Sequence, residues 1–166
     1  MKIQSISPLV NFMGEPKNFA RIDKVVSRSA QPTPEDFAWL KEQGITDVIN
    51  FRTLYVPGVD FKEEEVVKEL GMNYHNIPTI TFKPNENKIK SFLALVEKIA
   101  TNGGKAHIHC MAGADRTGMY AFVYKAIKGI GTIAENEKEW IERGHNITKY
   151  PDLRNWTKNF VKTLKK

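Results

Sequence analysis

Residues 105–128 read KAHIHCMAGADRTGMYAFVYKAIK. Residues 106–109 pattern as a short strand, residues 107–118 run into a glycine-containing loop, and from about residue 116 to 128 the chain is apolar on most sides, as a buried helix is. A strand that feeds a helix through a tight glycine turn is the repeating unit of sheets covered by helices, so this stretch points to an α/β fold. It also holds Cys110, the one cysteine of the chain.

The flanking sequence repeats the alternation. Residues 24–29 read as a short strand, residues 45–51 as a strand of β-branched residues, and residues 72–77 as another strand. Between them Thr33, Pro34, Glu35 and Asp36 mark a helix start, with a capping side chain, proline at the first position and acids in the first turn. Asp60 is expected to cap a second helix that Gly71 stops. Ile89, Phe92, Leu93, Val96 and Ile99 recur at helical spacing over residues 85–100, the clearest helix of the chain. Two more helices are predicted at about 132–143 and 153–164. Helix-length connections between strands require parallel pairing, so the expected fold is a mostly parallel sheet of four to five strands with helices on both faces. Ligands of such sheets bind beyond the carboxyl ends of the strands, where the 107–118 loop lies.

The chain has 166 residues, a length that suits one domain, here 1–166, with one core. Its 41% apolar and 27% charged residues exclude a disordered chain. A single cysteine cannot close an internal disulfide. The N-terminal residues, MKIQSISPLVNFMGEP, contain no run resembling a signal h-region, and no segment reaches membrane-spanning length. A cytoplasmic monomer is expected; a secreted domain that has lost its signal would read the same way. The net charge of +6 describes a solvated, mildly basic surface. No basic run is interleaved with aromatics, so no nucleic-acid partner is expected. A mildly positive field would favour a phosphorylated substrate.

The loop offers the parts of an oxyanion site. Amides of the first helical turn lack partners within the helix, and the helix dipole adds to their pull on anions. Gly113 permits the tight bend that makes successive N–H groups converge. Arg116 can pair two phosphate oxygens at once, and its charge favours the thiolate form of Cys110. The Thr117 hydroxyl can donate to that thiolate. A nucleophile and a cradle for a tetrahedral anion thus share one loop. A lone cysteine is more often a small buried hydrophobe, but His109, Gly113, Arg116, Thr117 and Gly118 all fit the same reading. His107 and His109 lie on one face of the strand beside Cys110; zinc needs three or four converging ligands, and no second Cys/His pair exists, so no metal is expected. His109 is expected to brace the loop backbone and His107 to be a core residue.

These residues resemble the Cys-based protein tyrosine phosphatases, whose signature of His-Cys, five residues, Arg and Ser or Thr stands here as HCMAGADRT, with Gly118 after it. The likeness is closest to the compact dual-specificity phosphatases of bacterial and fungal type. Residues 27–32, SRSAQP, resemble their R-S-x-Q-P segment, and residues 44–52 resemble their G-I-x-x-V-I-N-L-R strand. The pattern covers about residues 24–145. The resemblance implies a phosphatase that needs no cofactor. Cys110 would attack phosphorus, the backbone of Met111, Ala112, Gly113 and Ala114 with Arg116 would hold the phosphoryl group, and Thr117 would help the thiolate leave. Arg52 would stand near the rim, unless it is an ordinary surface arginine.

One part departs from the family pattern. The general acid, usually an aspartate before the long helix, has no counterpart in residues 78–84, PTITFKP, and no aspartate occurs between Asp60 and Asp115. Asp115, inside the signature, is the expected acid, and its other reading is a carboxylate that ties down the loop. Glu86 is the alternative, and reads better as a first-turn helix acid. Relatives that act on inositol phosphates often place lysines in the loop, where this chain has Met111 and Ala114. That favours phosphotyrosine, with tolerance for phosphoserine and phosphothreonine, over a polyphosphate. Lys83, Arg52 or Arg28 would have to supply rim charge for a phosphoinositide or an inositol phosphate. Two other readings stand beside these: a phosphate-reading module without turnover, suggested by the missing loop acid, and a sulfurtransferase, which the Arg116-Thr117 pair fits less well.

Overall fold

Val48 and Ile49 are consecutive, fully buried, and belong to two different apolar clusters. A pleated strand points successive side chains to opposite faces, so both faces of this sheet are covered. The structure is a computed structural model that describes residues 14–53 and 58–165. The N-terminal residues read as free of a signal-like run lie largely outside it.

In chain order the elements are β1 (Ala20–Arg21), β2 (Val26–Ser29), α1 (Pro34–Glu42), β3 (Asp47–Asn50), α2 (Glu63–Glu69), β4 (Asn73–Asn76), α3 (Glu86–Thr101), β5 (Ala106–His109), α4 (Asp115–Lys128), α5 (Ile133–Glu142) and α6 (Leu153–Leu164). The strands form one sheet in the order β1-β2-β5-β3-β4. Only β1 runs antiparallel, against β2; the other pairs are parallel. Phe37, Leu40 and Val67 of α1 and α2 pack with Val48 on one face. Ile89, Phe92 and Val96 of α3, Tyr120 and Val123 of α4, Trp140 of α5 and Phe160 of α6 pack with Ile49 and Ile108 on the other. The expected α/β class, mostly parallel sheet and two-sided helix cover are what the structure has. Among the described residues no helix is long and apolar enough to cross a membrane.

One local expectation is corrected, and one strand was not foreseen. Asp60 does not cap α2: the helix starts at Glu63 with Lys62 at the cap position and no side-chain cap bond. Glu63, Glu64 and Glu65 in its first turn meet the positive helix end instead. The strand β1 has no periodic pattern because it is two residues long. It forms because Asp23 Oδ1 accepts from the amides of Val25 and Val26 at 2.8 Å each, which turns the chain back onto β2.

β5 lies between β2 and β3, paired with both. His107 and His109 point to the α1/α2 face, as their spacing requires. His107 is enclosed between Ser27 and Ser29 of β2, with both hydroxyls 2.7 Å from its ring nitrogens. The central strand carries the cysteine loop at its carboxyl end, the position that leaves the loop flanked by chain on both sides.

Candidate active site

Buried backbone polar groups must find partners, so the partners of the 110–114 carbonyls report which way the loop faces. Cys110 O lies 3.1 Å from His109 Nδ1, and Met111 O accepts from the Gln31 amide at 2.9 Å. Ala112 O and Gly113 O accept from Asn18 Nδ2 at 3.3 Å each. Gly113 O also accepts from Arg28 Nη2 at 2.8 Å, and Ala114 O from Trp140 Nε1 at 3.0 Å. Every carbonyl of the loop is thus held from outside it. Among the described residues no amide from Met111 to Thr117 donates to the chain, and the first chain-bonded amide is that of Gly118, to Ala114 O at 3.1 Å. With the carbonyls turned out, the amides face inward, at the N-terminus of α4.

Two glycines make this possible. Gly113 has φ +69°, and a Cβ there would stand 2.5 Å from the backbone of Ser29 and Ala30. A Cβ on Gly118 would stand 2.1 Å from Trp140 Nε1, the donor that holds Ala114 O.

Cys110 is buried at the end of β5, with 2% of its surface exposed. Arg116 is half-buried and enters no ion pair among the described residues. Thr117 is fully buried, and its hydroxyl has no hydrogen-bond partner, Cys110 included. It makes no bond to the sulfur here.

Asp115, first residue of α4, accepts from His145 Nδ1 at 2.7 Å and from the Asn146 amide at 2.8 Å, both on Oδ1. The carboxylate ties the segment between α5 and α6 to the loop, and Oδ2 makes no hydrogen bond among the described residues. Glu86 is the exposed first residue of α3, behind the Asn85 cap, as the helix-acid reading had it.

Arg52 is not a surface arginine: only 5% of it is exposed. It donates through Nη1 to Gln31 Oε1, while its Nε is buried without a partner. Gln31 Nε2 donates to Glu63 Oε1 at 2.6 Å, and Glu63 Oε2 lies 2.8 Å from His109 Nε2. Burial pushes the Glu63 carboxyl up. The His109 charge and hydrogen bond, then the Gln31 hydrogen bond and the Arg52 charge, bring it net below its usual value. Burial lowers Arg52, with Glu63 and Cys110 opposing and Arg116 adding to the shift.

Arg28 also departs from its expected place. It is 2% exposed beneath the loop, not at the rim, and burial followed by the Arg143 charge lowers it to about 10. Lys83 is exposed on the 78–84 segment. Apolar side chains also face solvent: Ile80 and Phe82 of that segment, Met111 of the loop, and Ile147 are 56%, 69%, 42% and 46% exposed. Phe82 packs on Tyr150 with ring centroids 4.7 Å apart, and Ile147 follows the Asn146 that holds Asp115.

Asn18, Trp140, Glu63 and His145 were not visible as site residues in the sequence. Each comes from a different segment far from the signature, with no spacing to announce it. Asn18 alone carried a conformational mark, φ +57° in a non-glycine residue, and that is seen only in the backbone.

The family model described as "Polymorphic toxin system, DSP-PTPase phosphatase" matches residues 24–130. No relative among curated proteins matches the chain. Among solved structures, a DUF442 protein from Shewanella putrefaciens CN-32 superposes with a TM-score of 0.77 at 21% identity, covering 98% of each chain. TpbA from P. aeruginosa, solved as a cysteine-to-serine variant with phosphotyrosine, gives 0.67 at 19% identity over 87% of this chain and 82% of that one. The catalytic core of the PP-IP phosphatase SIW14 from S. cerevisiae, with citrate, gives 0.68 at 18% identity over 89% and 85%.

Proposed function

The chain belongs to the DSP-PTPase phosphatase family, a family of cysteine-based phosphatases, and from this we propose that it hydrolyses aryl phosphomonoesters, phosphotyrosine first, through a phosphocysteine at Cys110. The observation that carries the reading is the outward bonding of all five carbonyls from Cys110 to Ala114, which leaves the intervening amides to bind phosphoryl oxygens. Donors fixed before the reaction stabilise developing charge without reorganising.

In this mechanism the Cys110 thiolate forms the S–P bond as the bond from phosphorus to the leaving oxygen breaks. Arg116 and the amides from Met111 to Arg116 take the three non-bridging oxygens. Asp115, its Oδ1 held by His145 and Asn146, gives the leaving oxygen a proton from Oδ2 and later receives one from the attacking water. That water forms the new P–O bond as the S–P bond breaks, and Thr117 turns its unbonded hydroxyl to the returning thiolate. Arg52 adds positive charge from the side. No step calls for a metal.

The neutral Met111 and Ala114 and the exposed Ile80, Phe82 and Ile147 favour a leaving group with an apolar face over a polyphosphate. TpbA has been solved with phosphotyrosine, whereas SIW14 is a PP-IP phosphatase; the buried, partly unpartnered Arg52 is the one observation on the side of a more highly charged substrate.

The test is p-nitrophenyl phosphate hydrolysis against pH, without added metal, for wild type, Cys110→Ser and Asp115→Asn, followed by a phosphotyrosine peptide against inositol hexakisphosphate. Turnover by wild type and none by the serine variant is expected. Loss of the basic limb in the asparagine variant makes Asp115 the acid; an unchanged limb gives it only the loop-tying role. Inert wild type that still binds tungstate would leave a phosphate-reading module in place of an enzyme.

A further inference from the structure

One buried carboxylate touches both the residue before the nucleophile and, through one amide, the guanidinium at its side. Glu63 is 8% exposed and divides its oxygens, Oε2 to His109 and Oε1 to Gln31. His109 faces an acceptor on each ring nitrogen: Cys110 O at 3.1 Å and Glu63 Oε2 at 2.8 Å. A neutral imidazole has one N–H and can serve only one of them; the imidazolium serves both. Gln31 is oriented by the same logic. Its Nε2 must face Glu63, so its Oε1 is turned to Arg52.

Resting on the phosphatase reading above, we propose that Glu63 is the positioning residue of the site: it holds His109 as a doubly protonated ring behind Cys110 and, through Gln31, holds Arg52 toward the phosphate. The carboxylate touches no reacting atom. Its effect on Cys110 passes through the cation it keeps one residue away, and its effect on Arg52 through an amide that can point only one way. The other charged or titratable groups around this cluster are Tyr74 of β4, Glu64 of α2, Arg116 beside Arg52, and His107, which shares its strand face with His109. Tyr74 accepts from Asn50 Nδ2 at 3.0 Å and makes no hydrogen bond to Glu63. Arg116 repels Arg52, and Glu63 with Gln31 is what holds Arg52 against that repulsion.

The two arms separate by experiment. Iodoacetate alkylation of Cys110 against pH reads thiolate formation without needing any substrate to turn over. In Glu63→Gln the alkylation onset is expected to move up by about one pH unit, the size a nearby charge imposes on a titrating group. An unmoved onset overturns the Cys110 arm. A downward shift overturns it too, since it would mean that Glu63 acts only as a negative charge opposing the thiolate. In Gln31→Met the Glu63–His109 pair persists: KM is expected to rise about tenfold, because an oriented charged hydrogen bond is lost on the substrate side. An unchanged KM overturns the Arg52 arm. If Glu63→Gln does not fold, the nitrogen-15 signals of the His109 ring in the wild-type protein decide. Two protonated nitrogens at neutral pH support the proposal and a single neutral tautomer overturns it. Absence of phosphatase turnover would defeat the function proposed above yet leave the alkylation and ring measurements readable.

Discussion

The loop proposed to carry the chemistry is contiguous, so its candidate residues, Cys110, Gly113 and Arg116, could be read directly from the chain. The groups that hold it could not. Arg28 looked like rim charge, yet it sits beneath the loop with its Nη2 on Gly113 O and its Nε buried without a partner. Removing it has two opposed effects. Burial and the Arg143 charge already disfavour its ionised form, lowering it to about 10, so an apolar side chain of similar length relieves a desolvated charge. At the same time Gly113 O is left to Asn18 alone, at 3.3 Å. For Arg28→Met the relief is expected to offset the lost bond in folding but not in catalysis, because folding needs the carbonyl only roughly satisfied whereas transition-state binding needs the amides aimed. The thermal midpoint should not fall, while kcat/KM should fall about tenfold, or about 1.4 kcal/mol. Calorimetry and steady-state kinetics on the same preparation check this; an unchanged kcat/KM would mean that Asn18 suffices.

At the scale of elements, long periodic segments were legible and short or tertiary-determined features were not. The apolar spacing marked α3 nearly to its ends, and Thr33 caps α1 as its sequence indicates, with the reciprocal Asp36 bond present. The two-residue β1 has no room for a period, and the start of α2 is set by its three glutamates, not by Asp60. Nor does any pattern in α4 or α5 announce how closely they pack. Gly118 of α4 faces Trp140 of α5 at a distance that leaves no space for a methyl group, and that same indole holds Ala114 O. Gly118→Ala must push α5 away and is expected to cost about 1–3 kcal/mol, the range for overpacking a filled core. Adding Trp140→Phe, which removes the colliding pyrrole edge, should return part of that cost. The double variant is expected to be more stable than the sum of its singles, a non-additivity that two residues in contact produce. Denaturant melts of the four-member cycle measure it, and strict additivity would show that the helices separate freely instead.

For the whole molecule, sheet position decides how the protein meets acid. His107 is on the central strand, fully buried between Ser27 and Ser29 and stacked on Phe19 at 5.9 Å. The strand pattern showed that it faces the same side as His109, but not that a five-stranded sheet and two helices would seal it. Burial, and then the charge of His109, lower His107 well below its ordinary value of 6.5. Above pH 6.5 the ring is neutral folded and unfolded, and contributes no pH dependence. Below 6.5 the unfolded chain takes the proton first. Each further pH unit then removes up to about 1.4 kcal/mol of stability, until the folded ring can also be protonated. His107→Gln keeps a side chain able to bond both serine hydroxyls but does not titrate. Relative to wild type, its unfolding free energy should be insensitive to pH above 6.5 and should gain steadily as pH falls from 6.5 to 5. Denaturant titrations at several pH values read that difference directly, and because only His107 differs, the other His–carboxylate pairs cancel. Parallel curves for the two proteins would mean that the sheet opens enough to let water reach His107.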